Sequence, residues 1–365
     1  MIQLAGSTAS RWARSATGVV PMPALVLFLV SLTVRAAYLL AVGTQDAGDT
    51  ALYEAISRDF SESAYGFAPR ITYPALLYVF GSSIVLVQLV MDAGVTCLLT
   101  AICGRMISPR AGLIAGFTHI VLWDAFRWSA YVITDTTYMF LLALVVGLAL
   151  GSKKVWPVAI IPTALLLHLT RPTGLIFLLL LAGWGLYRLK SLPFAVAVLA
   201  ISLVPLITAL THTGTPGSSL SSPEFAFEHA STVVQDGRQA ASGYISAIPA
   251  KVIALYAPFQ SGFSGAHLIV NMVLWPIYVF ALVGSVTEFR NRAVQVAVLG
   301  ILGFTMFHAL TWVDYDQRYR APALILLLIP AAAGFDRLAL IATNAVGSRW
   351  KPWRPWKESN LRPVE

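Results

Sequence analysis

The sequence predicts an all-α polytopic membrane protein with about ten transmembrane helices. Of the 365 residues, 57% are hydrophobic and only 12% are charged, and the mean hydropathy is +0.73. A water-soluble core of ordinary proportions does not hide that much apolar surface. Long apolar runs also recur along the chain, and about 20 apolar residues are enough to cross a bilayer as a helix. Lipid is therefore expected to cover most of this surface.

The apolar runs give the predicted helices in chain order. Several runs are shorter than the roughly 20 residues that a full crossing needs, so the number of crossings is approximate. The predicted spans are 21–43, 82–104, 111–123, 132–150, 155–169, 174–187, 192–211, 265–286, 293–313 and 320–344.

The basic residues predict the orientation of these spans. If the N-terminus is cytoplasmic, the inner segments hold twice as many Lys and Arg residues as the outer segments, and most acidic residues lie outside. Positive charge collects on the cytoplasmic side of membrane proteins. Both termini are therefore expected on the cytoplasmic side. The expected location is a plasma membrane, the bacterial inner membrane. The net charge of +8 follows from this bias and a basic tail, and does not indicate a nucleic-acid partner.

The chain divides into a cytoplasmic N-terminus, 1–20, a single transmembrane domain, 21–344, and a tail, 345–365. Two long outer loops are expected within the domain, at about 44–80 and 212–264, and the second ends in an amphipathic part that lies on the membrane or covers a site as a lid. The tail alternates basic residues with three tryptophans. It is interpreted either as an anchor on anionic lipid headgroups or as a segment without function.

An acidic segment directly follows the first predicted helix. Asp46, Asp49 and Glu54 lie within nine positions, together with Tyr53, in a stretch that is expected to form juxtamembrane helices at the outer face. Carboxylates gathered at a membrane face are usually functional. Cys97 and Cys103 lie six positions apart in one predicted span, a spacing that suits neither a disulfide framework nor a metal site.

Short motifs begin in this segment and continue along the chain in a recognisable order. They are Gly48-Asp49, Tyr53, Ala55-Ile56, Tyr73–Tyr78, Gly104-Arg105, Ile133–Thr137, Leu169–Gly174 and Arg318–Pro322. The order resembles membrane glycosyltransferases of the protein O-mannosyltransferase and aminoarabinose transferase type, in the C-type glycosyltransferase (GT-C) superfamily. The resemblance covers about the first 185 residues and weakens after that. It implies a GT-C-like fold and transfer of a sugar from a polyprenyl-phosphate carrier to the hydroxyl of a glycan, lipid or protein acceptor.

That reaction needs a base to take the proton of the acceptor and cations to hold the departing phosphate. Asp49 is the candidate base, although an Asp before a helix is also a good N-cap. Asp46 and Glu54 could join Asp49 in binding a divalent cation. Because the resemblance includes members that work without metal, no cofactor is expected. Tyr53 is expected either to stack on the sugar or to serve as an interfacial aromatic.

The basic candidates lie at the predicted outer boundary. Arg171 is interpreted as a bidentate phosphate ligand or as an interfacial anchor. Arg318 and Arg320 are candidates for the same role, with pairing to a neighbouring carboxylate as the alternative, and Arg70 is a weaker candidate. Asp135 begins a predicted helix and is either its cap or a second acidic residue of the site.

Arg35 and Asp92 lie well inside predicted spans. A charge there is costly unless it is paired or faces a cavity. A contact between the two, or with backbone groups of a neighbouring helix, is the expected explanation. The competing functional classes are a transporter or lipid flippase and a scaffold subunit. Transporters tend to carry repeated, broken helices with charges at mid-depth. Here the charges concentrate at the outer surface, which favours the transferase.

Overall fold

The computed structural model describes residues 21–59, 71–151, 156–171, 173–184, 264–311 and 320–349, and isolated positions within 186–200 and 248–257. This part of the chain is helical. It contains no β-strand, and only an isolated parallel bridge joins Gln45 to Tyr131. The all-α class predicted from composition is therefore confirmed for the described residues.

The described residues form thirteen α-helices in chain order. They are α1 (Met22–Val42), α2 (Thr50–Arg58), α3 (Thr72–Phe80), α4 (Ile84–Met106), α5 (Pro109–Val121), α6 (Trp123–Phe126), α7 (Asp135–Leu150), α8 (Trp156–Thr170), α9 (Gly174–Trp184), α10 (Gly265–Asn271), α11 (Leu274–Thr287), α12 (Arg292–Thr311) and α13 (Ala321–Arg349).

Every predicted span except 192–211 contains a helix, and most of 192–211 lies outside the described residues. Among the described residues, five helical segments are long and apolar enough to cross a membrane, and the apolar helices in α7, α8 and α9 are shorter. The five segments are Met22–Val42, Thr72–Met106, Leu268–Thr287, Arg292–Ala309 and Ala321–Asn344. The chain is thus a multi-pass membrane protein, and the figure of ten crossings stays a prediction.

The first predicted outer loop differs from its predicted form at its end. Residues 44–80 contain the two expected juxtamembrane helices, α2 and α3, but α3 is apolar and continues through a turn at Gly81 into α4. Gly81 has a φ of 51°, a left-handed conformation that glycine adopts without a steric penalty. The glycine therefore bends an otherwise continuous apolar segment.

Small residues let the helices approach closely. A side chain at Gly284 of α11 would overlap the Pro330 carbonyl of α13, and one at Gly334 of α13 would overlap the Phe280 carbonyl of α11. Gly112 of α5 meets the backbone of α4 at Gly104 in the same way. Such contacts are the usual means of helix association in lipid, where the hydrophobic effect does not drive helices together.

The helix directions place most polar residues of interest at one end of the bundle. Helices α1, α5 and α8 end there, and α3, α7, α9 and α13 begin there, as shown by the contacts of Gln45 with Ala130, Ile71 with Leu169 and Arg320 with Asp124. We call this the Asp49 end, since Asp49 lies between α1 and α2. At the opposite end, Asp336 of α13 accepts a hydrogen bond of 2.8 Å from Ser108, the N-cap residue of α5.

Candidate functional site

The acidic segment is fixed to the turn between α6 and α7. The backbone N–H of Gln45 donates to the Ala130 carbonyl over 2.9 Å, and the N–H of Val132 donates to the Gln45 carbonyl over 3.0 Å. The Thr50 hydroxyl accepts from the Ala47 N–H over 2.8 Å and donates to the Val132 carbonyl over 2.9 Å. These bonds bring the residues around Asp49 beside the turn that leads to Asp135.

Asp49 directly precedes α2 and is half-buried. Its side chain makes no capping hydrogen bond to the first turn of that helix, all of which the structure describes. The geometry therefore gives no support to the N-cap alternative, and the role of Asp49 as a base stays a prediction. The neighbouring carboxylates of Asp46 and Glu54 are exposed, and Glu54 lies 3.6 Å from Arg58 on the same helix.

Tyr53 lies in a small hydrophobic cluster instead of at the surface. Its side chain is 1% exposed, and its ring meets that of Tyr73 edge to face with centroids 5.3 Å apart. The Tyr73 hydroxyl donates to the Gln88 side chain over 2.7 Å, and the Gln88 amide donates to the Tyr131 carbonyl over 2.7 Å. Tyr53 thus packs α2 against α3 and α4, and its contact with a sugar stays a prediction.

Arg171 and Asp135 form an ion pair at the Asp49 end. The Arg171 guanidinium lies 2.5 Å from Asp135 and donates from Nε to the Thr134 hydroxyl over 2.8 Å. Its carbon lies 6.0 Å from the centre of the Tyr138 ring, within cation–π range, and the Tyr138 hydroxyl accepts from Thr173 over 2.9 Å. The first turn of α7 and the end of α8 therefore hold this guanidinium in one orientation.

The start of α3 returns to the same place. The Ile71 N–H donates to the Leu169 carbonyl over 3.0 Å, and the Thr72 hydroxyl donates to the Leu166 carbonyl over 3.0 Å. Both acceptors belong to the last turns of α8, directly before Arg171. Within the first predicted outer loop, Gln45 is thus attached near Asp135, and Ile71 and Thr72 are attached near Arg171.

A second ion pair, which sequence reasoning did not anticipate, joins Arg320 to Asp124. The Arg320 side chain is fully buried, pairs with Asp124 and donates to the Ala257 carbonyl over 2.6 Å. Arg127 lies 3.7 Å from the other oxygen of Asp124 and stacks on Trp128. The one sequence signal was an aspartate in an apolar run, three positions before an arginine. Arg320 therefore does pair with a carboxylate, but with one that is 196 positions away.

A part of the second predicted outer loop contacts this pair. The Tyr256 hydroxyl lies 2.6 Å from the Thr305 hydroxyl, and Tyr278 donates to the Tyr256 carbonyl over 2.8 Å. Burial raises the pKa of Tyr256 to about 12, so its hydroxyl keeps its proton at neutral pH. The described positions of the predicted amphipathic stretch therefore include Tyr256 and Ala257, which bond α11, α12 and Arg320, directly before α13.

Two predicted site residues, Arg70 and Arg318, lie outside the described residues. For the described ones, no group of three or more His, Cys, Asp or Glu side chains has a metal-binding arrangement, and this includes Asp46, Asp49 and Glu54. The structure therefore brings Asp135 and Arg171 into direct contact, places the Asp49 segment beside them, and places Arg320 in a second ion pair at the same end.

Comparison with known proteins identifies the fold. No protein-family model matches the chain, and no curated protein matches its sequence. The crystal structure of ArnT from Cupriavidus metallidurans in the apo state is similar, with a TM-score of 0.52 and 17% identity over 93% of this chain. The structure of the same protein bound to undecaprenyl phosphate gives a TM-score of 0.49 and 18% identity over 89% of this chain. This chain covers 63% and 62% of those two ArnT chains. The protein therefore has a GT-C-like fold, as the resemblance of its motifs implied.

Proposed function

We propose that the protein is a membrane glycosyltransferase that moves a sugar from a polyprenyl-phosphate carrier to an acceptor hydroxyl. The observation that carries the proposal is the attachment of the Asp49 segment to the turn that bears Asp135, next to Arg171. A candidate base and an oriented guanidinium thus lie at the same end of a GT-C-like fold. We assign this end to the outer face of the membrane, with both termini cytoplasmic, from the distribution of basic residues.

The proposed chemistry is a displacement at the anomeric carbon of the sugar. Asp49 accepts the proton of the acceptor hydroxyl while the hydroxyl oxygen bonds to that carbon, and the bond from the carbon to the phosphate oxygen breaks. The departing polyprenyl phosphate takes the electron pair of that bond. Positive charges fixed in advance where negative charge develops lower the barrier, and Arg171 and Arg320 are the candidates for this role.

The carboxylate partners of the two arginines support such a role. A guanidinium has five N–H donors, so a carboxylate that occupies one or two of them orients the group without using all of them. For Arg320, Nε has no hydrogen-bond partner among the described residues. Binding of phosphate to a planar, oriented guanidinium costs less side-chain entropy than binding to a mobile one.

An apolar groove of about 570 Å³ that runs along the bundle and reaches the Asp49 end is consistent with a polyprenyl carrier. It lies between α5, α11 and α13 and reaches Val121, three positions before Asp124. Phe117, Ile277 and Leu328 are among its lining residues. A long hydrocarbon chain requires such a surface next to the place where its phosphate is bound.

The decisive experiment replaces Asp49 with Asn in the purified protein, reconstituted with lipid-linked sugars and acceptors extracted from bacterial membranes. Asn keeps the size of the side chain and one oxygen acceptor but does not accept a proton near neutral pH. We expect release of polyprenyl phosphate to fall by about 100-fold, the scale for loss of a general base, while the melting temperature and donor binding stay close to those of the wild type. Asp46→Asn, an exposed neighbour, is the matched control.

Normal transfer by Asp49→Asn would show that Asp49 is not the base. Movement of the intact lipid-linked sugar across the bilayer, without release of polyprenyl phosphate, would instead favour a transporter or flippase. A wild-type protein that does neither would favour the scaffold class.

A further inference from the structure

Arg35 and Asp92 form an ion pair inside the bundle that the proposed chemistry does not use. Both side chains are fully buried, Arg35 in α1 and Asp92 in α4. Charges within membrane spans are costly and generally mark function. Close packing of small residues is sufficient to hold helices together in lipid, as at Gly112 and Gly284. The contact of α11 with α13 thus shows that helices of this bundle associate without a fully buried ion pair.

Arg35 also binds the last turn of α5. It donates from one terminal nitrogen to the Ile120 carbonyl over 3.0 Å and from the other to the His119 carbonyl over 3.1 Å. Carbonyls in the last turn of a helix lack intrahelical partners, and the negative end of the helix dipole attracts a cation. Asp92 orients this guanidinium by binding its Nε, so both residues act on the end of α5.

The end of α5 leads directly into Asp124. Arg35 lies over the ring of Phe126, with its central carbon 4.9 Å from the ring centre. Tyr38, one turn further along α1, packs edge to face against Trp123 and Phe126 at 5.1 and 5.4 Å. Helix α1 thus contacts the backbone before Asp124 and the aromatic side chains on both sides of it.

We propose that Arg35 and Asp92 are positioning residues that fix the turn 119–126 and thereby hold Asp124 against Arg320. Asp124 is buried and receives both Arg320 and Arg127, so the position of its carboxylate determines where these two cations lie. The role in transfer rests on the proposed function, whereas the effect on the turn does not depend on it. Arg35 reaches Asp124 only through the backbone and rings of this turn.

The test uses the double variant Arg35→Gln/Asp92→Asn in the full-length protein. Removing both charges leaves no unpaired charge in the bundle, so the fold is expected to survive. As a second variant, Arg35→Lys keeps a charge for Asp92 but lacks the planar fork that reaches two carbonyls. Thr163→Ala is the matched control, because the buried Thr163 hydroxyl bonds the Ala159 carbonyl within its own helix, α8.

Hydrogen exchange followed by mass spectrometry reports on the turn without any substrate. Loss of hydrogen bonds from a charged donor changes a local opening equilibrium by about 10-fold or more. We expect exchange in residues 119–130 to accelerate by that factor in the double variant and in Arg35→Lys, whereas exchange in other segments, and in all segments of Thr163→Ala, should stay unchanged. Unchanged exchange in 119–130 overturns the proposal.

A double-mutant cycle with Asp124→Asn reports on the reaction. Small displacements of reacting groups lower rates by up to about 100-fold, so the double variant is expected to lose about 10- to 100-fold in kcat with little change in KM for the donor. When Asp124→Asn is already present, adding Arg35→Gln/Asp92→Asn is expected to lower kcat no further. Multiplicative losses would overturn the proposal. If the wild type shows no transfer, the proposed function fails, and hydrogen exchange still decides the positioning role.

Discussion

The pairs Arg35–Asp92 and Arg171–Asp135 share their chemistry but differ in what else the arginine binds. Arg35, inside the bundle, donates to two backbone carbonyls of a neighbouring helix. Arg171, at the Asp49 end, donates to the side chains of Thr134 and Asp135 and lies near an aromatic ring. The first arginine supports a turn of the chain, whereas the second is presented among side chains, which suits the binding of a ligand.

The two pairs also differ in how deeply their side chains are buried. Arg35 and Asp92 are both fully inaccessible, so removal of one leaves an uncompensated charge in the bundle. Arg171 keeps 11% of its side chain exposed at the end of the bundle. Loss of one partner is therefore expected to lower stability more at the first pair than at the second.

The largest effect on stability is expected from Arg35→Met, which leaves Asp92 buried without its cation. Breaking a buried pair on one side costs about 3–5 kcal/mol, so little folded protein should remain in the membrane. Thermal unfolding in detergent and abundance in the membrane fraction measure this. Arg110→Met is the control, because Arg110 is half-exposed and 3.7 Å from Asp336, and such pairs contribute about 1 kcal/mol at most. Equal losses in both variants would contradict the comparison.

A smaller and more selective effect is expected from Arg171→Lys. Lysine keeps the positive charge but does not reproduce the bidentate fork of arginine. One lost charge-assisted hydrogen bond is worth about 1.5–3 kcal/mol, so transfer should fall at least about 10-fold at normal abundance. Release of polyprenyl phosphate per folded protein is the measurement, and Arg58→Lys, at an exposed arginine of α2, is the control. Full activity in Arg171→Lys would reduce Arg171 to an interfacial anchor.

The smallest effect is expected from chelation of divalent cations. If Arg171 and Arg320 hold the phosphate, the rate of transfer should stay unchanged in excess EDTA. Loss of transfer that Mg²⁺ or Mn²⁺ restores would instead assign Asp46, Asp49 and Glu54 to an oxygen-ligand cation site. That outcome would transfer part of the phosphate-binding role from the arginines to a metal.

The sequence was sufficient for the fold class and for most helix positions, because long apolar runs have few alternatives to membrane spans. The contact between Arg35 and Asp92, which the cost of intramembrane charge predicted, is confirmed. The continuation of α3 into α4 was missed because Gly81 and two serines resemble a loop. Their effect is only a bend, since apolar residues lie on both sides.

The sequence pointed to several of the candidate residues at the Asp49 end but not to their partners. Asp135 and Arg171 were both candidates, yet nothing in a spacing of 36 positions says that α7 and α8 bring them together. Asp124 was not a candidate, because it lies in an apolar run and its partner is near the other end of the chain. Partners of this kind depend on how helices pack, which hydrophobic pattern alone does not specify.

The contact of α11 with α13 has a consequence for how such a chain can diverge. At Gly284 and Gly334 even a single added methyl group would meet a backbone carbonyl, whereas many neighbouring residues, such as Leu282 and Val286, are exposed. Lipid accepts any aliphatic side chain at those exposed positions, so substitutions there are nearly neutral. A few sterically fixed sites can therefore preserve the arrangement of helices while the rest of the sequence drifts.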